Sequence, residues 1–83
     1  MEESVIIADI RQFIETNILA GGVELTPDTN LQQAGIDSFS TVEIILFLER
    51  NFNTPVPDDK LLPENFQTLR SLARLVRELS ATN

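Results

Sequence analysis

Between Phe39 and Phe52 the chain carries two apolar stripes on nearly opposite sides of one helix. At about 100° per residue, Ile44, Ile45, Leu48 and Phe52 fall together, while Phe39, Val42 and Leu46 gather across the axis and Phe47 lies between. A helix that is apolar all round belongs in the middle of a large protein. A chain of 83 residues, 42% of them hydrophobic, forms one small domain and has too little material to enclose a helix completely. The first stripe is wider and ends in Phe52, so it is assigned to the core. The second is then a small exposed apolar patch of the kind that marks partner sites. Glu43, Glu49 and Arg50 rim it.

The flanking segments supply the partners for that core face. Residues 4–19 read as a helix, with Ser4 as the N-cap and Ile6, Ile10, Phe13, Ile14 and Ile18 at three-to-four spacing, ended by Gly21-Gly22. The long connection over 23–37 is anchored by Leu25, Leu31 and Ile36. Thr26-Pro27-Asp28 is suited to a short helical turn, and Gly35 either supplies a conformation that a side chain resists or is a plain turn residue.

The second helix spans about 38–51, capped either by Asp37 or by a Ser40–Glu43 box. Pro55 and Pro57 stop any helix after it, because each lacks a donor and restricts its predecessor. Residues 58–62 form a short helix candidate capped by Asp58 and ended near Pro63, with Phe66 packing where it stops. The last helix spans about 68–79, with Leu69, Leu72, Ala73, Val76 and Leu79 on one face and Arg70, Arg74 and Arg77 on a solvated one. Ser80 to Asn83 should fray.

Charge and the missing residue types narrow the function. The net charge is −7, which argues against binding a nucleic-acid backbone. Residues 1–64 hold twelve acidic and three basic residues, whereas 65–83 hold one acidic and three basic, so the negative body attracts positively charged partner surfaces. There is no cysteine and no histidine, so neither thiolate chemistry nor the commonest general base comes from the chain. Met1-Glu2-Glu3 opens without a basic lead and apolar run, and the longest apolar stretch, Ile44 to Leu48, is too short to span a bilayer. A cytoplasmic protein, monomeric and without a membrane span, is expected.

Ser38 is the most informative residue for chemistry. It stands where the loop becomes the second helix, so its hydroxyl lies beside backbone N–H groups that have no intrahelical partner. Such a place is hospitable to a phosphate ester, favoured by about 0.3–1 kcal/mol by the helix dipole.

The run Gly35-Ile36-Asp37-Ser38-Phe39, preceded by Thr29-Asn30-Leu31 and followed by Thr41-Val42-Glu43-Ile44, Leu48-Glu49 and Phe52, resembles the Asp-Ser-Leu attachment motif of acyl carrier proteins and their aminoacyl and peptidyl relatives. The likeness covers about residues 4–79. It implies an all-α fold, a four-helix bundle with a short third helix and a long first loop, in one carrier domain over 1–83. It further implies that Ser38 carries 4′-phosphopantetheine drawn from coenzyme A, with Asp37 assisting a Mg²⁺-dependent phosphopantetheinyl transferase. The arm then holds an acyl or aminoacyl group as a thioester, loaded by an adenylate-forming ligase or an acyltransferase and passed to downstream pathway enzymes. Phe39, Val42 and Leu46 would dock those partners, with Glu43 and Glu49 steering them. Phe39 stands where leucine is commoner, and Ser40, Arg50, Asn51 and Asn53 dilute the acidic second helix of fatty-acid carriers. The stretch Leu61 to Phe66 is closer to stand-alone carriers of amino acids or specialised acyl groups.

Two other classes are weaker. An unmodified acidic interaction or regulatory module would share the composition and differ only in its mass. An independent enzyme is disfavoured, because Ser38 has no histidine and Lys60 is the only lysine. Asp58 and Asp59 are adjacent and supply no recognised metal-ligand set.

Overall fold

The computed structural model describes residues 2–19 and 24–81. Three α-helices, α1 (Glu3–Asn17), α2 (Ser38–Asn51) and α3 (Leu69–Ala81), are joined by a long loop and by two 3-10 turns, Asp58–Lys60 and Pro63–Phe66. The described residues contain no strand. α1 packs most extensively on α3 and less on α2.

Apolar spacing explains the packing. Ile6, Ile7, Ile10 and Ile14 of α1 meet Leu69, Leu72, Ala73 and Val76 of α3 and Ile44 and Leu48 of α2 in one buried cluster. The loop residues Leu25, Leu31 and Ile36, the expected anchors of the connection, join the same cluster. Phe47, the residue between the stripes, stacks on Phe13 of α1 with ring centroids 4.3 Å apart and meets Phe52 edge-on at 5.9 Å.

Several boundaries differ from the sequence expectation. Ser4 is not the cap of α1: the helix begins at Glu3 with Glu2 in the cap position and no side-chain cap bond. It ends at Asn17, whose side chain donates to Phe13 O at 3.1 Å. The proposed Gly21-Gly22 stop lies outside the described residues. At the far end α3 continues through Ser80 to Ala81, and Asn83 also lies outside them. Thr68 and Ser71 start that helix by exchanging bonds, each backbone N–H donating to the other's hydroxyl oxygen at 3.0 Å.

The short helix expected over 58–62 is replaced by the two 3-10 turns. Pro57 and Pro63 leave only five residues between them, and the proline at 63 holds Leu62 extended (φ −104°, ψ 141°). Asp58 caps nothing through its side chain and lies inside the first turn, after Pro57. Lys60 anchors this segment to α3 through Glu78 at 2.7 Å.

Candidate functional site

The turn preceding Ser38 is closed at both ends. Asn30 Oδ1 accepts from Gln33 N–H at 3.0 Å, while Ile36 N–H donates to Leu31 O at 3.0 Å and Gly35 N–H to Gln32 O at 3.1 Å. This pair of closing bonds requires a left-handed residue between them, and Gly35 supplies it at φ 110°. The open question about Gly35 is thus resolved in favour of its conformation.

Asp37 then begins α2. Its Oδ1 accepts from Ser40 N–H at 2.8 Å, and its carbonyl accepts the Thr41 hydroxyl at 2.9 Å. Of the two capping schemes, Asp37 is the one realised. The Ser40 backbone N–H, followed by the Ser40 hydroxyl, holds the Asp37 carboxyl below the usual aspartate range despite an opposing desolvation effect. An ionised carboxylate therefore stands next to Ser38. Ser38 itself is exposed. At the first position of a fourteen-residue helix its own N–H has no intrahelical carbonyl to bond, while the Phe39 N–H, like that of Ser40, serves the Asp37 carboxylate. An exposed hydroxyl at a helix N-terminus fits a phosphodiester. Among the described residues no group of three or more metal-ligating side chains comes together.

From Ser38 onward α2 presents three parallel faces. Ile44 and Leu48 are 2% and 0% exposed, whereas Phe39, Val42 and Leu46 are 75%, 53% and 43% exposed. The assignment of one stripe inward and the other outward therefore agrees with the structure. Ile45 departs from it: with Ser38 and Thr41, at spacings of three and four, it forms a third face. That face lines an open cleft of about 540 Å³, whose opposite wall is Leu61, Leu62 and Phe66. Sequence reasoning missed this cleft; its one local signal was Leu61-Leu62, an apolar pair held between two prolines with no periodic partner.

Glu43 is half-buried and borders a shallow hollow with Leu46 and Arg50. Glu49, expected to steer partners, also has a structural task. Its Oε2 accepts from Val56 N–H at 3.2 Å, which straps the chain after α2 back onto the helix. Thr54, buried in that strap, donates its hydroxyl to Phe52 O at 2.8 Å.

Known proteins resemble the chain in sequence and in structure. Residues 8–76 match the family described as phosphopantetheine attachment site. Aminoacyl carrier protein 1 of Bradyrhizobium diazoefficiens is 35% identical over 71 residues, covering 86% of this chain and 77% of the relative. Aminoacyl carrier protein 2 of the same organism is 25% identical over 71 residues, covering 86% and 78%. Acyl carrier protein 4, chloroplastic, of Arabidopsis thaliana is 36% identical over 61 residues, covering 74% of this chain and 43% of that protein. A chain in the crystal structure of Bradyrhizobium japonicum glycine:[carrier protein] ligase complexed with glycylated carrier protein superposes with a TM-score of 0.72 at 32% identity, covering 88% of this chain and 96% of its own length.

Proposed function

This chain belongs to the phosphopantetheine attachment site family, and from that membership we propose that Ser38 is the residue whose oxygen bears the prosthetic group. The protein is a non-catalytic carrier. Attachment forms one phosphodiester: Ser38 Oγ displaces 3′,5′-ADP from coenzyme A and gives up its proton. Once attached, the arm supplies the thiol on which a carboxyl group is held as a thioester, a function this cysteine-free chain has no side chain to perform. The exposure of Ser38 at the N-terminal end of α2 is the observation that carries the assignment.

Asp37 acts from the neighbouring position. Its Oδ1 holds the helix start, and its ionised carboxylate can assist a Mg²⁺ ion brought by the transferase and coenzyme A. Phe39, Val42 and Leu46 form the partner-docking stripe, with Glu43 at its edge. The exposure of all three apolar side chains supports that role. Glu49 joins Glu43 in steering partners and also keeps the chain after α2 in place.

The cargo is an amino acid and the loading enzyme is an adenylate-forming ligase. Supporting this are the two aminoacyl carrier relatives and a second superposition, TM-score 0.74 at 32% identity over 92% of this chain, on a chain of the glycine ligase complexed with cognate carrier protein and an analogue of glycyl adenylate. Downstream pathway enzymes then take the thioester. The chain is one carrier domain over 1–83, cytoplasmic and monomeric, and the two 3-10 turns between Asp58 and Phe66 stand for the short third member of a four-helix arrangement.

Intact-mass measurement after incubation with coenzyme A, Mg²⁺ and a broad-specificity transferase is the test. One phosphopantetheine is expected on the wild type and none on Ser38→Ala. Undiminished addition to the variant overturns the assignment.

A further inference from the structure

We propose that the hollow between α1 and the second half of α2 receives a partner-enzyme segment carrying an apolar side chain between one basic and one acidic residue, with Glu43 and Arg50 selecting that charge order. This rests on the reading of α2 as the partner-docking helix and deepens it, because Leu46 belongs both to the exposed stripe and to the hollow.

The hollow, about 400 Å³, has an apolar middle and charged ends. Glu43, Leu46, Phe47 and Arg50 follow one another at helical spacing, so they share one face of α2. Phe13 brings α1 into the same surface. Its ring stacks on Phe47 with centroids 4.3 Å apart and planes 19° from parallel, so the two half-buried rings form one wall. Phe52 meets Phe47 edge-on and braces that wall from behind. An aromatic middle with a charged rim is the composition of a protein interface.

Charge decides which partner fits. The charged residues of α2 are Glu43, Glu49 and Arg50, and Glu49 already accepts from Val56 N–H. Neither Glu43 nor Arg50 forms an ion pair among the described residues. Seven residues of helix set them about 10 Å apart along the axis. A segment with a basic residue over Glu43 and an acidic one over Arg50 gains at both ends. A segment with two basic residues, which the net charge of −7 would otherwise attract, is repelled at Arg50. Arg50 thereby gives a generally acidic surface a choice of partner.

The test titrates the apo protein, followed by ¹H–¹⁵N spectra, with two helical peptides of about sixteen residues. Each has a central leucine flanked by two charged positions at the spacing of Glu43 and Arg50, occupied by Lys and Glu in one peptide and by Lys and Lys in the other. The Lys–Glu peptide should shift the backbone signals of Phe13, Leu46 and Phe47 and bind about threefold or more tighter than the Lys–Lys peptide. Arg50→Glu should reverse that order. Arg50 is exposed, so the variant keeps the fold, as a melting curve on the same sample checks. As a second variant, Glu43→Gln should weaken binding of the Lys–Glu peptide by a similar factor. Tighter binding of the Lys–Lys peptide to the wild type, or an order unchanged in Arg50→Glu, overturns the proposal. Shifts confined to Phe39 and Val42 also overturn it and leave the docking stripe standing, whereas no shift at either place overturns both. Attachment at Ser38 is untouched by these outcomes, because the apo protein is used throughout.

Discussion

Arg70 grips Asp28 through two parallel hydrogen bonds, Nε to Oδ1 at 2.8 Å and Nη2 to Oδ2 at 3.1 Å. The same arginine donates its backbone N–H to Pro27 O at 3.0 Å. Four residues further along the loop, Leu31 N–H reaches Gln67 O. The long loop that delivers Ser38 is thus fastened to the start of α3 at two points, and the position of the serine depends on a helix more than thirty residues away in sequence.

That fastening predicts an acid sensitivity. The hydrogen bond from Arg70 is the largest cause holding the Asp28 carboxyl below its usual range, and Ser40 does the same for Asp37. A carboxyl whose folded pKa lies below its unfolded value, near 3.9, contributes stability above that value and loses it as pH falls through the folded one. Melting temperatures measured from pH 7 to pH 2 should show Arg70→Ala less stable than wild type at neutral pH, with the gap closing below about pH 3.9. Because both groups are exposed, the gap is small and shrinks with salt.

Opposite outcomes are expected on two faces of α2. Val42→Asp and Leu46→Asp should leave stability within about 0.5 kcal/mol of wild type while slowing loading by the partner ligase. Leu48→Ala should cost about 2–5 kcal/mol and lower the melting temperature by roughly 8 °C or more. Paired thermal melts and loading kinetics separate the two. A common loss of stability would move Val42 and Leu46 into the core.

Asp37 has two separable duties. Asparagine caps helices as well as aspartate does, so Asp37→Asn should melt like the wild type, whereas Asp37→Ala should melt lower. If the charge assists transfer, both variants should accept phosphopantetheine several-fold more slowly, as initial rates by mass spectrometry would reveal. A wild-type rate for Asp37→Asn would confine the residue to capping.

Gly35→Ala should be costly for a conformational reason. A Cβ there would sit 3.5 Å from Leu19 Cδ2, an ordinary contact, so crowding contributes little. At φ 110° an L side chain is strained by about 1–3 kcal/mol. Chemical denaturation should register that loss, and transfer to Ser38 should slow because the turn that delivers the serine is disturbed. Equal stability of the variant would show that the turn can close another way.

The parts of this protein that were legible in the chain are those decided by neighbours along it. Ile6, Ile10 and Ile14 announce a helix face because three-to-four spacing is set within one turn or two. Asp37 and Ser38 announce a helix start because capping involves residues three apart. The misplaced cap at Ser4 has a tertiary cause, and the shortening of the helix expected at 58–62 a local one. Tertiary burial of Ile6 and Ile7 fixes α1 without any side-chain cap, and prolines at 57 and 63 outweigh a favourable aspartate.

Sequence alone determined that this is an acidic, all-helical chain with one serine at the head of a helix bearing more apolar surface than a small domain can hide. Folding decided which surplus is covered. α1 and α3 close over Ile44 and Leu48, Glu49 turns to the strap at Val56, Arg70 leaves the solvated face to hold Asp28, and Leu61-Leu62 come opposite Ile45 to make the cleft. Apart from the Glu49–Val56 bond, set over seven residues by the turn after α2, each of these contacts joins residues whose approach is governed by how helices stack, and helix periodicity carries no information about that distance.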